Sequence, residues 1–254
     1  MDRKIALITG ATSGIGLETA RVLAQNNYNL ILTGRRKDRL EQVKKEIESD
    51  CPAQVLILNF DIRDKAEVKN AYESLPSDWK QIDVLINNAG LAAGLAPVDS
   101  ADMNDWEQMI DTNIKGLLYM SQTVSPGMIE RKSGHIVNIS SVARKEVYPN
   151  GSVYCGTKHA VAAISRTMRI ELLPSGVKVS TVSPGAVDTE FSLVRFKGDR
   201  QRADKVYDGF TPLYAKDIAD TIWFVLSRPS HVNIDDILVM PTAQGSARDF
   251  FRES

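Results

Sequence analysis

The chain alternates short, wholly apolar runs with longer segments whose apolar positions recur at helical spacing. KIALIT opens the pattern and is followed by a helix predicted from about Gly14 to Asn27. NLILTG precedes a charged helix from about Lys37 to Asp50, and VLILNF precedes one from about Lys65 to Leu75. DVLINNA comes next. After a loop, Met103 to Arg131 is expected to form one long helix, with Pro126 as its point of interruption. HIVNIS, a helix from about Gly151 to Leu173, and VKVSTVSP continue the alternation; Ala215 to Leu226 is expected to be helical and DDILVMP extended. Strands that are apolar throughout are covered on both faces, and strands joined by helices of this length run parallel. Right-handed crossovers then make an α/β fold, a doubly wound Rossmann domain with a central parallel sheet flanked by helices. No Pro/Gly/Ser tract divides the chain, so residues 1–254 are expected to form a single domain. The stretch 186–212 breaks the alternation. It is polar, basic and aperiodic, and is expected to be a substrate loop beside the active site.

Composition narrows the picture by exclusion. With 43% hydrophobic and 25% charged residues, the chain can bury a substantial core. The net charge is -1 and no Lys/Arg block stands out, so nucleic acid is not an expected partner. No apolar run reaches the length of a membrane span, so no membrane association is expected. The start, MDRKIALITGATSGIG, pairs a charged beginning with an apolar run. That run is short and enters a Gly-rich turn, so it reads as a first strand rather than a signal peptide. Cys51 and Cys155 lie far apart, and His135, His159 and His231 form no ligand pattern. A reduced, cytoplasmic protein without a metal is expected.

TGATSGIG follows the first strand and begins the first helix, which is where a dinucleotide pyrophosphate binds. Gly10, Gly14 and Gly16 leave room for a tight turn and a close backbone approach, and the main chain around Thr12, Ser13 and Ile15 offers N–H groups at a helix N-terminus. The second strand ends in LTGRR. An acidic residue at this end would read a free ribose 2′-hydroxyl, whereas Arg35, supported by Arg36, suits a 2′-phosphate. The expected cofactor is therefore NADP(H). Asp61 with Ile62, and Asn88, Ala89 and Gly90, end the third and fourth strands on the same carboxyl edge.

YCGTK sets Tyr154 and Lys158 four residues apart, on one helical face. A phenol titrates near 10, and a neighbouring ammonium is expected to lower it into the range useful for proton transfer. With TGATSGIG, Asp61, NNAG, Asn113 in TNIKG, Ser141 in NISS, Tyr154 with Lys158, and SPG followed by Thr189, the chain resembles the short-chain dehydrogenase/reductase family over most of its length. That resemblance implies that Tyr154 exchanges a proton with the substrate oxygen and that Ser141 orients this oxygen, with Ser140 as the competing choice. It implies that Lys158 holds the nicotinamide ribose and that Asn113 supports a water leading from Lys158 to solvent. It also implies cofactor contacts from Pro184, Gly185, Val187 and Thr189, and a homotetramer built on the two long helices with help from the tail Asp235 to Ser254. TGRRKDRL, DWEQMIDTNIKGLLYM, SLVRFKGD and HVNIDDILVMP are similar to the NADP-linked branch that acts on small 3-hydroxy acids, to which sulfoacetaldehyde reductases are related. A small anionic substrate is thus expected, held by Arg195 and Arg144 from two sides with Tyr148 nearby; Lys145 is a further cation on that wall. Two cations around one anion would lean toward a sulfonate. Reduction of neutral or bulky carbonyls, and a non-catalytic nucleotide sensor, are the alternative readings.

Overall fold

The computed structural model describes residues 3–253. Its strands are β1 (Lys4–Thr9), β2 (Tyr28–Gly34), β3 (Val55–Asn59), β4 (Ile82–Asn87), β5 (Gly134–Ile139), β6 (Val177–Pro184), β7 (Val187–Asp188), β8 (Leu213–Tyr214) and β9 (Asp236–Val239). The helices are α1 (Gly14–Gln25), α2 (Lys37–Asp50), α3 (Lys65–Glu73), α4 (Met103–Ile110), α5 (Leu117–Arg131), α6 (Ser152–Leu172), α7 (Glu190–Arg195), α8 (Arg200–Asp204) and α9 (Ala215–Leu226). A seven-stranded sheet runs in the order β3-β2-β1-β4-β5-β6-β9, with every neighbouring pair parallel. Two layers of helices cover it, giving the doubly wound α/β architecture expected from the sequence.

The unbroken apolar strands have a direct structural cause. Successive strand residues point to opposite faces. In β1, Ala6 and Ile8 enter one core with Leu30, Leu32, Val84 and Ile86, against Leu23 of α1, Leu40 and Val43 of α2, and Ile218 and Ile222 of α9. Leu7 enters the other core with Ile31, Leu85 and Ile136, against Val68 of α3 and Met120, Val124 and Met128 of α5. Each of the strands β1 to β6 thus supplies two cores. The strand order turns back between β1 and β4, which opens a crevice at their carboxyl ends.

Two sequence expectations need correction. The long helix is interrupted at a π-helical turn, Asp111–Gly116, between α4 and α5, whereas Pro126 sits inside α5. Pro126 and Gln122 are exposed, so the carbonyl deprived of a donor faces water and the helix continues. The π turn instead buries Thr112, Asn113 and Gly116. The stretch 186–212 is not structureless. It holds α7 and α8, capped by the side chains of Thr189 and Asp199, and β7 pairs with β8. The Tyr207 hydroxyl closes it, donating to the carbonyl of Val187 at 2.7 Å and lying 2.8 Å from Ser192 Oγ.

His135 on β5 is buried, with Nε2 2.8 Å from the hydroxyl of Ser180. Burial, aided by the charge of Lys178, pushes its pKa from 6.5 down to about 3. The folded protein therefore holds a neutral ring, and the unfolded chain takes up the proton first. Stability contributed by this residue is full above pH 6.5 and drains away as pH falls toward 3, by about 3 kcal/mol at pH 4. Urea unfolding at pH 7 and pH 4 should show a correspondingly smaller loss for His135→Gln than for the parent; equal losses would place the acid sensitivity elsewhere.

Candidate active site

The crevice deepens into a cleft of about 660 Å³ along the carboxyl edge of the sheet. At its nucleotide end, Gly10 and Gly14 take φ of +67° and +55°, values that side chains resist. A Cβ on Gly16 would lie 2.4 Å from the carbonyl oxygen of Gly10 and 2.5 Å from Asn88 Nδ2, so Gly16 secures close packing behind the turn rather than the cleft wall itself. Asn88 locks the turn by donating to the carbonyls of Thr9 and Gly10 at 2.9 and 3.2 Å. Ser13 makes no side-chain cap on α1, and no acid occupies the first turn. The first N–H groups of α1 are therefore left for an anion, as a pyrophosphate cradle requires. Thr12, Ile15, Ile62, Ala89, Gly90, Pro184, Gly185, Val187 and Thr189 line the same cleft.

The two arginines after β2 stand differently. Arg36 donates to Thr12 Oγ1 at 2.8 Å and Ser13 Oγ at 3.0 Å, and pairs with Glu190 at 3.0 Å across the cleft. Arg35 lines the cleft beside it. Asp61 is gripped by Arg63 at 2.6 Å, and the hydrogen bonds from that side chain hold its carboxyl below the usual range despite partial burial. It remains a charged acceptor.

At the other end, α6 delivers Tyr154 and Lys158 one turn apart, both buried. Lys158 Nζ donates to the carbonyl of Ile139 at 3.1 Å and lies 5.9 Å from the centre of the Tyr154 ring. Burial pulls the lysine down to about 8. Burial also pushes the Tyr154 phenol above 10, opposed chiefly by the charge of Arg195 and then by a hydrogen bond with Ser141. The cation that opposes burial of the phenol is thus Arg195, where the sequence pointed to Lys158. Its guanidinium sits 4.9 Å from the Tyr154 ring centre and 5.1 Å from that of Phe191, and donates to Tyr148 Oη at 3.0 Å. Of the two serines, Ser141 lines the cleft with its Oγ accepting from Ala143 N at 3.2 Å, while Ser140 donates to the main-chain carbonyl of Lys158 at 3.3 Å.

Asn113 is held by its side chain. Its carbonyl accepts from Leu91 N at 2.9 Å, and its amide donates to Leu91 O at 2.9 Å and Thr157 Oγ1 at 3.1 Å. Both amide hydrogens brace the loop after β4 against α6, beside Lys158. Arg144 does not face the cleft at all. Its Nε donates to Ser183 Oγ at 2.6 Å, its Nη2 pairs with Asp236, and its side chain is 4% exposed. A buried guanidinium requires such partners, and they lie on β6 and β9, behind the catalytic turn. Lys145 is exposed on that turn and is absent from the cleft wall.

The sequence reading also missed a wall. Gln244, Ala247, Arg248, Phe250 and Arg252 fold back over the substrate end. Gln244 Oε1 accepts from Ala186 N at 2.8 Å, Glu146 accepts from Ala247 N at 2.6 Å, and Glu253 N donates to the carbonyl of Gly209 at 2.8 Å. Interleaved arginines and aromatics in SARDFFRE are the available signal, in a tail that the family resemblance assigns to assembly contacts.

Lys158 offers a test of how tightly the site is buried. Its folded pKa is about 8 against 10.5 unfolded, so below pH 8 the fold bears the cost of a buried charge, and that cost fades as pH rises from 8 to 10.5. Lys158→Met should therefore raise the melting temperature of the cofactor-free protein at pH 7, by an amount worth at most about 3 kcal/mol. The gain should shrink through that window. A destabilised variant at pH 7 would mean that the Ile139 contact outweighs desolvation.

Comparison with known proteins agrees with this arrangement. Residues 4–199 match the family model for short chain dehydrogenase. The NADP-dependent 3-hydroxy acid dehydrogenase YdfG of Salmonella typhi is 46% identical over 244 residues, 96% of this chain and 97% of that protein. The NADP-dependent 3-hydroxy acid dehydrogenase of Schizosaccharomyces pombe is 43% identical over 254 residues, 100% of this chain and 98% of its own length. The closed form of serine dehydrogenase complexed with NADP+ superposes with a TM-score of 0.92 at 42% identity, covering 98% of this chain and 100% of that one. Cradle, Ser141, Tyr154 and Lys158 thus occur in a chain that belongs to the short-chain dehydrogenase family.

Proposed function

We propose that this chain is an NADP(H)-dependent oxidoreductase that interconverts a small 3-hydroxy acid and the corresponding aldehyde acid. The observation that carries the substrate class is the Arg195 guanidinium, hydrogen-bonded to Tyr148 and stacked over the ring of Tyr154, beside the proposed proton donor. A small substrate offers little surface, so its charged end must supply orientation, and a guanidinium binds a carboxylate through two hydrogen bonds.

When bound, the nicotinamide supplies or takes the hydride. The protein handles the proton and the position. In the reducing direction, Tyr154 gives its proton to the carbonyl oxygen as the carbonyl carbon gains the hydride; oxidation returns the proton to Tyr154. Ser141 donates to that oxygen and fixes it near the phenol. Arg195 and Ser141 stabilise the phenolate left behind, and Lys158, tethered to Ile139, holds the nicotinamide ribose. Gly10 to Gly16 and the N-terminus of α1 hold the pyrophosphate. Arg35 reads the 2′-phosphate and meets it without displacing an acid, whereas Arg36 already faces Glu190. The lean toward sulfonate rested on Arg144, which is engaged elsewhere, so a carboxylate is the reading and sulfoacetaldehyde a competitor to assay beside malonate semialdehyde. Exposed Ile110, Leu118 and Ile129 on α4 and α5, and Ile170 on α6, support assembly into a homotetramer through these helices.

Arg35→Ala should raise KM for NADPH at least about tenfold while leaving that for NADH nearly unchanged, the scale of one lost charge-assisted contact. Equal effects would move the 2′-phosphate to Arg36. Tyr154→Phe should lower kcat at least about a hundredfold with NADPH binding retained. Arg195→Ala should depress kcat/KM for malonate semialdehyde far more than for propanal. Near-normal turnover by the first of these two variants, or an equal fall with both aldehydes in the second, would contradict the mechanism or the substrate class respectively.

A further inference from the structure

The charges lining the cleft divide by position. Its acidic lining residues, among those described, are Asp61 and Glu190, both at the nucleotide end and each paired with an arginine, Arg63 and Arg36. Where Ser141, Tyr148 and Tyr154 converge, the charged lining side chains are Lys158, Arg195, Arg248 and Arg252, with no carboxylate among them. Two of these cations are committed. Lys158 is tied to Ile139, and Arg252 donates to the carbonyls of Val206 and Asp208. The other two flank one phenol. Arg195 donates to the Tyr148 hydroxyl, and its Nε is buried without a partner. Arg248 lies 5.0 Å from the centre of the Tyr148 ring. The acids near Arg248 in the chain or the fold stay outside the lining: Glu146 accepts the N–H of Ala247, and Asp249 accepts the hydroxyl of Ser246.

We infer that Arg248 is a second substrate-binding cation. It acts with Arg195 around Tyr148, Arg195 at the hydroxyl and Arg248 over the ring, and together they select acids of net negative charge over amino acids of the same length. The inference rests on the proposed reading of Arg195 as the anion ligand and deepens it. A 3-hydroxy acid brings one carboxylate to two guanidiniums. Serine brings the same carboxylate with an ammonium on the adjacent carbon. That ammonium meets two like charges, Arg195 in the part-buried wall and Arg248 at the exposed rim, and no carboxylate in the lining at this end. The C-terminal tail, through Arg248, thereby becomes the element that sets substrate charge.

The test compares oxidation of 3-hydroxypropionate and L-serine with NADP+ by the parent, Arg248→Gln and Arg248→Lys. Glutamine keeps a polar stem against Tyr148 and removes the charge; lysine keeps the charge. The parent should favour 3-hydroxypropionate in kcat/KM by at least about tenfold, the scale of one charge-assisted contact. Arg248→Gln should erase most of that preference, chiefly by raising KM for 3-hydroxypropionate, while kcat/KM for serine holds or rises. Arg248→Lys should restore the preference in large part. An equal fall for both substrates in Arg248→Gln, unrepaired by lysine, would show that Arg248 only packs Tyr148 and would overturn the inference. So would an unchanged ratio, or a parent that favours serine. Neither of the first two outcomes touches the reading of Arg195, which fails separately if Arg195→Ala lowers turnover of malonate semialdehyde and propanal alike.

Discussion

The active end of this molecule is organised around one buried ammonium. Lys158 enters the sheet edge from α6 with a single carbonyl, that of Ile139, as its protein partner. A cation in that position is costly, and its depressed pKa of about 8 expresses the cost. The surroundings are built to hold it there. Ser140 bonds the main chain of Lys158 itself, Thr157 next to it receives the amide of Asn113, and Asn113 is swung inward by a π turn that breaks the long helix. Such single-turn π segments commonly mark functional positions, because the extra residue redirects a side chain that a regular helix would point elsewhere. A buried charge is tolerated here because two apolar cores, fed by alternate residues of every central strand, stabilise the frame.

Electrostatics divides the cleft into two anion sites of different construction. The nucleotide end uses main-chain N–H groups and arginines balanced by Asp61 and Glu190. The Arg36–Glu190 pair is half exposed, so it contributes little to stability, yet it links the end of β2 to α7 across the groove. The substrate end is unbalanced. Arg195 and Arg248 approach Tyr148 without an acid between them, and Arg195 also leans on the Tyr154 ring. Burial pushes the Tyr154 phenol up and the guanidinium pulls it back, so the residue proposed to orient the substrate also tunes the proposed proton donor. Arg144 shows the opposite arrangement. It is adjacent in sequence to the catalytic turn, but Ser183 and Asp236 neutralise it behind that turn, where it fastens β9 to the site.

The sequence by itself determined whatever depends on local periodicity and local steric need. Wholly apolar strands between amphipathic helices require a covered parallel sheet. Gly10 and Gly14 mark a turn with positive φ, and the spacing of Tyr154 and Lys158 puts them on one helical face whatever the rest of the chain does. Tertiary structure decided what depends on contacts between distant segments. The long helix breaks at Asn113 rather than at Pro126, because the proline faces water and the asparagine faces Leu91 and Thr157. Arg144 and Arg195 are both arginines near catalytic motifs, and no local pattern separates them. One found a carboxylate 92 residues away, and the other found two tyrosines in an acid-free pocket. The tail residues Arg248 and Phe250 became part of the cleft only through the fold-back that Gln244 and Glu146 pin by hydrogen bonds. A side chain's charge is written in the sequence, but whether that charge is neutralised or left available is set by what the fold brings beside it.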